Sequence, residues 1–162
     1  MEDVAPAGEL PDVTERLGYR LKRAAAALRS AMDKALREHG LTVPQYATLE
    51  LLDQQPGLSN AQLARGAFVT RQSMNVVLRG LVDSGLVSRP STAEHGRALP
   101  ALLTPEGRRR LAGARAAVYA IDQRITDVVP GHRLGDLLAD LDHMAEAVGE
   151  AGPVPVFGQD ER

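Results

Sequence analysis

The sequence has no cysteine among its 162 residues. A chain without thiols forms no disulfide bonds, offers no thiolate to a metal and has no cysteine nucleophile. Redox sensing by thiol oxidation is excluded for the same reason. Whatever this protein does, it does without thiol chemistry.

Long apolar runs are also lacking. No stretch approaches the roughly 20 apolar residues of a transmembrane helix. The chain starts with Met1, Glu2 and Asp3, and no apolar run of signal-peptide length follows. We therefore expect a cytoplasmic protein.

Aromatic residues make up only 3% of the chain and tryptophan is absent, whereas hydrophobic residues reach 44%. A core must then be built from Leu, Val and Ala, which favours closely packed helices. Lys22 and Lys34 are the only lysines, so arginine carries nearly all positive charge. Arginine binds phosphates and base edges bidentately, although genomic base composition would produce the same bias.

Charge is distributed unevenly along the chain. Residues 59–110 contain eight arginines and three acidic residues, a net charge of +5, whereas residues 1–58 carry −2 and residues 111–162 carry −5. A basic centre between acidic flanks indicates a polyanionic partner, and nucleic acid is the obvious one.

Hydrophobic spacing and capping residues predict six helices and one hairpin. The predicted helices cover residues 12–38, a segment capped by Thr42, a short segment capped by Ser59, a segment capped by Thr70 that stops at Gly85, residues 105–129, and residues 134–148. Two short apolar segments, 86–89 and 98–103, read as a hairpin with a polar tip. Since Pro100 has no amide hydrogen, the second strand must be an edge or only partly paired.

The helix that follows Thr70 has two distinct faces at 100° per residue. Its apolar face contains Met74, Val77, Leu78, Leu81 and Val82. Its other face contains Gln72, Asn75, Val76, Arg79 and Asp83. The second face suits a DNA major groove, where Arg contacts guanine, Asn or Gln contacts adenine, and an apolar tip meets a thymine methyl. An ordinary amphipathic surface helix is the alternative, but the short preceding helix, the hairpin and the local charge favour DNA.

The run "LSNAQLARGAFVTRQSMNVVLRGLVDSGLVSRP", followed by "GRALPALLTPEG", resembles the winged-helix core of the MarR family of bacterial transcriptional regulators. "LTVPQYATLELL" and "LGYRLKRAAAALR" resemble that family's second and first helices, so the resemblance spans about residues 13–150. It implies a mainly α fold with a small β-hairpin wing, in which a winged helix-turn-helix is flanked by N- and C-terminal dimerisation helices.

The predicted organisation follows from this pattern. Residues 41–104 form the DNA-binding lobe, residues 12–40 and 105–150 form the helical dimerisation region, and residues 1–11 and 151–162 are flexible. The predicted DNA-binding residues are Ser59, Thr70, Arg71, Gln72, Ser73, Asn75, Val76, Arg79, Arg89 and Arg97. Arg97 is a minor-groove candidate, but His95 stands where family wings often carry an Asp that braces this arginine.

The outer helices carry apolar stripes that a small core cannot use entirely. The residues predicted at a two-fold dimer interface are Leu17, Leu134, Leu137, Leu138, Leu141 and Met144. Capping of their own subunit's core is the alternative. A dimer would read two half-sites about one helical turn apart.

A second face of the first helix suggests a ligand site. Tyr19 and Arg23 lie one turn apart and are followed by small residues, which leaves room for a flat anion. In MarR-like proteins a small aromatic carboxylate or phenol often binds near this helix, and Tyr46 and Tyr119 are candidates for the same space. An exposed arginine beside a packed tyrosine is the alternative.

Other chemistries find less support. Asp136, Asp140 and His143 share a helix face with metal-ligand spacing, but a solvated polar face explains them equally well, so we assign no metal and no cofactor. No glycine-rich phosphate loop, nucleophile elbow or catalytic histidine motif is present, which argues against an enzyme.

The sequence therefore predicts a homodimeric, ligand-responsive repressor that binds a pseudo-palindromic operator and is released by a small aromatic anion. A winged-helix protein–protein module without DNA binding is the alternative. The operator, the regulated genes, the natural effector, the choice between repression and activation, and the role of His95 stay open.

Overall fold

The structure, a computed structural model, describes residues 11–89 and 100–149. Within these residues the chain forms six α-helices, one short 3-10 helix at Val13–Glu15 and one two-stranded sheet. The helices are α1 (Leu17–Arg37), α2 (Val43–Gln54), α3 (Asn60–Gly66), α4 (Arg71–Asp83), α5 (Pro105–Thr126) and α6 (Gly131–Val148). The strands are β1 (Val87–Ser88) and β2 (Leu102–Leu103), which pair antiparallel. The predicted fold class is confirmed.

The capping residues act as the sequence predicts. The hydroxyl of Thr42 accepts from the backbone amide of Gln45, whose side chain accepts from the Thr42 amide in return. Ser59 and Gln62 form the same capping box at α3. Each reciprocal pair satisfies two backbone amides that a helix start leaves free.

Some boundaries differ from the prediction. The first helix begins at Leu17 instead of residue 12, because Asp12 caps the separate 3-10 turn and Arg16 adopts an extended backbone. The fifth helix ends at Thr126, three residues early. The strands are two residues long, with Val87 opposite Leu103. The predicted wing tip and the predicted flexible termini fall almost entirely outside the described residues.

The hydrophobic core joins α2, α3 and α4 to the base of the wing, the start of α5 and the C-terminal end of α1. Its fully buried side chains include Leu36, Leu49, Leu52, Leu63, Met74, Leu78, Leu81 and Leu111. Gly107 allows close approach of α5 to this core, since a Cβ there would lie 2.1 Å from the Leu86 carbonyl oxygen. Because the core contains residues of both predicted regions, the division into a lobe and a dimerisation region stays a prediction.

Candidate nucleic-acid interface and flanking clefts

The two faces of α4 differ in burial as the sequence predicts. Met74, Leu78 and Leu81 are buried, whereas the six predicted DNA-contacting side chains of α4 are exposed. Those exposed residues are Arg71, Gln72, Ser73, Asn75, Val76 and Arg79. Val77 is half-buried, and Val82 lies at the border of the apolar face with 36% of its surface exposed. One side of α4 thus packs on the core while the other presents amide, guanidinium and apolar groups to solvent.

Two residues of the predicted DNA-binding set are helix caps. The Thr70 hydroxyl accepts from the Ser73 amide at 3.1 Å and donates to the Ser73 hydroxyl at 2.9 Å. The Ser59 hydroxyl accepts from the Gln62 amide at 3.3 Å and donates to the Gln62 side chain at 2.8 Å. Both side chains therefore hold the starts of α3 and α4 in place, and their contact with DNA stays a prediction.

A groove with a volume of about 290 Å³ lies between α4 and the base of the wing. It is lined by Asn75, Leu78, Arg79, Val82 and Arg89. Arg79 comes from α4 and Arg89 directly follows β1, so the fold brings two guanidinium groups to one groove. Arg97 and His95 lie outside the described residues.

Asn75 has a partner that sequence reasoning missed. The side-chain amide nitrogen of Asn60, the first residue of α3, donates to the side-chain oxygen of Asn75 at 2.7 Å. The two residues are 15 positions apart on different helices. No local periodicity connects them, although asparagine at both positions would have been a weak signal.

A group of charged side chains joins α2 to α5. The Arg115 guanidinium contacts the Glu50 carboxylate at 2.8 Å and the Asp53 carboxylate at 2.6 Å, and the Tyr46 hydroxyl donates to Glu50 at 2.6 Å. The hydrogen bond to Glu50 is the largest cause of a raised pKa for Arg115. Burial, followed by the hydrogen bond to Glu50, raises the pKa of Tyr46. We call these four residues the α2–α5 bridge.

The α2–α5 bridge borders a cleft of about 560 Å³. The cleft is lined by Tyr46, Glu50, Arg115, Ala116, Val118, Tyr119 and Asp122. The sequence proposed Tyr46 and Tyr119 for one space, and both line this cleft. The proposed partners Tyr19 and Arg23 are exposed on α1 and do not line it. Within one protomer the predicted ligand residues are therefore not brought together.

The outer helices leave apolar side chains uncovered. The first half of α1 and all of α6 contain no buried residue. Leu17 is 57% exposed and Leu138 55% exposed. Between α1, α5 and α6 lies a second cleft of about 600 Å³, whose apolar lining includes Leu21, Leu28, Ile121, Ile125 and Leu141. A single protomer thus does not bury the stripes that the sequence assigns to an interface.

Two other features are absent from residues 11–89 and 100–149. No group of three or more His, Asp or Glu side chains is arranged to hold a metal ion there. None of the helices in these ranges is both long and apolar enough to cross a bilayer.

Known proteins resemble this chain in sequence and in structure. The sequence profile of the MarR family matches residues 39–98. The HTH-type transcriptional repressor Rv2887 of Mycobacterium tuberculosis is 50% identical over 109 residues, which are 67% of this chain and 78% of Rv2887. The structure of Rv2887 in complex with DNA has a TM-score of 0.65 at 42% identity and covers 80% of this chain and 97% of that one. Its complex with salicylic acid has a TM-score of 0.62 at 43% identity and covers 83% and 96%.

Proposed function

The chain belongs to the MarR family, and we propose that this DNA-binding regulator is a homodimeric repressor that binds a pseudo-palindromic operator. A small aromatic anion then releases it from the operator. The observation that carries DNA recognition is the groove between α4 and the wing base, where Asn75, Arg79 and Arg89 come together. Arginine and amide side chains on an exposed helix face are the groups that read base edges in the major groove.

Dimerisation is supported by the uncovered outer helices. Leu17, Leu138 and Leu141 are exposed in one protomer. Covering such apolar side chains with a partner removes them from water, which stabilises the complex. A two-fold axis would place two α4 helices on successive major grooves of one duplex. The operator should therefore consist of two inverted half-sites.

Binding of an aromatic anion is supported by the cleft beside the α2–α5 bridge. Tyr46 and Tyr119 offer ring surfaces there. Arg115 is already held by two carboxylates, so a ligand carboxylate needs another cation. We propose that α1 of a second protomer supplies it through Arg23, with Tyr19 beside the ring.

Selection of bound duplexes from a random DNA pool tests the proposal. We expect an enriched sequence with two-fold symmetry, and an affinity for it that falls steeply as salt rises, because bound phosphates release counterions. Enrichment of no sequence would contradict the proposal and favour the protein–protein module. An enriched site without inverted symmetry would contradict the dimer alone.

A further inference from the structure

Asn75 lies on the exposed face of α4, and its side-chain amide is already hydrogen-bonded to Asn60. Its side-chain oxygen accepts the hydrogen bond from Asn60 at 2.7 Å, across the turn between α3 and α4. Asn75 is exposed and lines the groove with Arg79 and Arg89. In this contact the Asn75 oxygen is directed at Asn60, beside the proposed DNA site.

The orientation matters because the two ends of an asparagine amide differ chemically. The oxygen only accepts hydrogen bonds and the nitrogen only donates them. With the oxygen directed at Asn60, the nitrogen of Asn75 is the end left for a ligand in the groove. A free asparagine would instead use both ends on adenine, accepting from N6 and donating to N7.

We propose that Asn60 is a specificity-determining positioning residue, which makes Asn75 a hydrogen-bond donor toward DNA. A donor suits guanine best, because guanine presents two acceptors in the major groove, O6 and N7, and it also suits thymine through O4, whereas adenine presents its acceptor N7 beside a donor and cytosine presents only a donor. It is a poor match for the amino groups of adenine and cytosine. The inference rests on the proposed function, since it assumes that α4 reads base edges.

Substitutions of Asn60 test whether it sets the orientation of the Asn75 amide. In the Asn60→Asp variant the new carboxylate can only accept, so the amide of Asn75 must turn and direct its oxygen toward the DNA. The preference at the contacted base should then change from guanine or thymine to adenine or cytosine. In Asn60→Ala the amide is free, and adenine should gain relative to guanine and thymine. Each shift in relative affinity should be on the order of fivefold, the effect of about one hydrogen bond.

Two controls separate orientation from charge and from folding. Ala61→Asp adds the same negative charge at the neighbouring residue of α3, so it should weaken binding to all sequences without changing base preference. Asn75→Ala removes the reader, so Asn60→Asp in that background should no longer alter the preference. Thermal melting of each variant verifies that it is folded.

The measurement is competition among duplexes that differ only at the base pair whose preference Asn75→Ala relaxes. A change from guanine or thymine to adenine or cytosine in Asn60→Asp supports the inference. An unchanged preference, or the same change in Ala61→Asp, overturns it while leaving the proposed function intact. If the wild-type protein selects no sequence from the random pool, the proposed function fails and the inference fails with it.

Discussion

Phe68 lies in the turn between α3 and α4 at a position where two other helices of this chain place glycine. Its amide donates to the Arg65 carbonyl and the Val69 amide donates to the Ala64 carbonyl, which together close the end of α3. The same closing pattern is formed at the end of α1 with Gly40 and at the end of α4 with Gly85. All three have positive φ, and Phe68 has φ 55°. A residue with a Cβ is disfavoured in this conformation.

Phe68→Gly should therefore stabilise the protein. The ring is 80% exposed, so little burial is lost, and relief of the left-handed backbone should outweigh the added freedom of the unfolded chain by about 0.5–1 kcal/mol. Chemical denaturation measures the free energy of unfolding. Phe68→Ala is the control because it removes the ring and keeps the Cβ. A gain of equal size in Phe68→Ala would show that backbone strain is not the cause.

Tyr46 makes the stability of the protein depend on pH in the alkaline range. Its pKa is raised above the usual value, mainly by burial and then by the hydrogen bond to Glu50. The neutral phenol is thus favoured in the folded state. Its contribution is complete below about pH 10, the usual pKa of tyrosine, and decreases as the pH rises beyond it.

Tyr46→Phe should lower the free energy of unfolding at pH 7 by about 1 kcal/mol, the effect of one half-exposed hydrogen bond. The difference from wild type should shrink as the pH is raised from about 10 to 11. In the wild type the phenol ionises in the unfolded chain before it ionises in the folded protein, which lowers the free energy of unfolding, whereas the variant has no phenol to ionise. Denaturation across that range provides the measurement. A constant difference between the two proteins would contradict the assigned role of the phenol.

At the scale of elements, the N-terminal caps of the helices were the most predictable part of the fold. Thr42, Ser59 and Thr70 cap the helices that the sequence assigned to them, because a cap depends on residues three positions apart. The Glu50–Arg115 pair was not predictable, since 65 residues separate its members. Only the packing of α2 on α5 brings them together. The pairing of Asn60 with Asn75 escaped prediction for the same reason.

We expect the exposed face of α4 to contact the bases of the operator. Arg79→Ala should lower the affinity for the selected operator by about 1–3 kcal/mol and relax the preference at one base pair per half-site. Binding titrations on operator variants measure both effects. Lys34→Ala removes a positive charge from α1, away from α4, and should leave the base preference unchanged. Normal operator binding by Arg79→Ala would remove α4 from the role of recognition helix.

The apolar stripe of α6 is expected to bind a second protomer. Leu138→Glu places an unpaired charge in that interface, which is costly when buried, so the variant should sediment as a monomer or lose its fold. Ala139→Glu adds the same charge on the opposite side of α6 and should remain a dimer. A folded Leu138→Glu dimer would exclude this stripe as the interface. Circular dichroism distinguishes a folded monomer from an unfolded chain.

At the scale of the whole molecule, regulation requires that a ligand prefer the conformation that does not bind DNA. A preference of about tenfold at each of two sites would lower operator affinity about a hundredfold. We expect saturating salicylate to have this effect on the wild type and a much smaller one on Arg23→Ala. Lys22→Ala removes a nearby charge of α1 and should respond like the wild type.

Titration of salicylate into the protein–DNA complex provides the measurement. Equal release of wild type and Arg23→Ala would remove Arg23 from the ligand site. The absence of release by any aromatic acid would leave a repressor that is not regulated in this way. Neither result would bear on the proposed recognition of the operator by α4.

The length of α5 determines how large a displacement at one of its ends results from a small tilt of the helix. Its 22 residues correspond to about 33 Å at the usual rise of an α-helix. The α2–α5 bridge links α2, at the start of the predicted DNA-binding lobe, to α5, so we expect this lobe to follow α5 when α5 tilts. A tilt of only about 6° about the far end displaces the other end by about 3.4 Å, the spacing of one base pair along a strand. In a dimer we therefore expect a slight rocking of one protomer against the other to be enough to lose register with the operator.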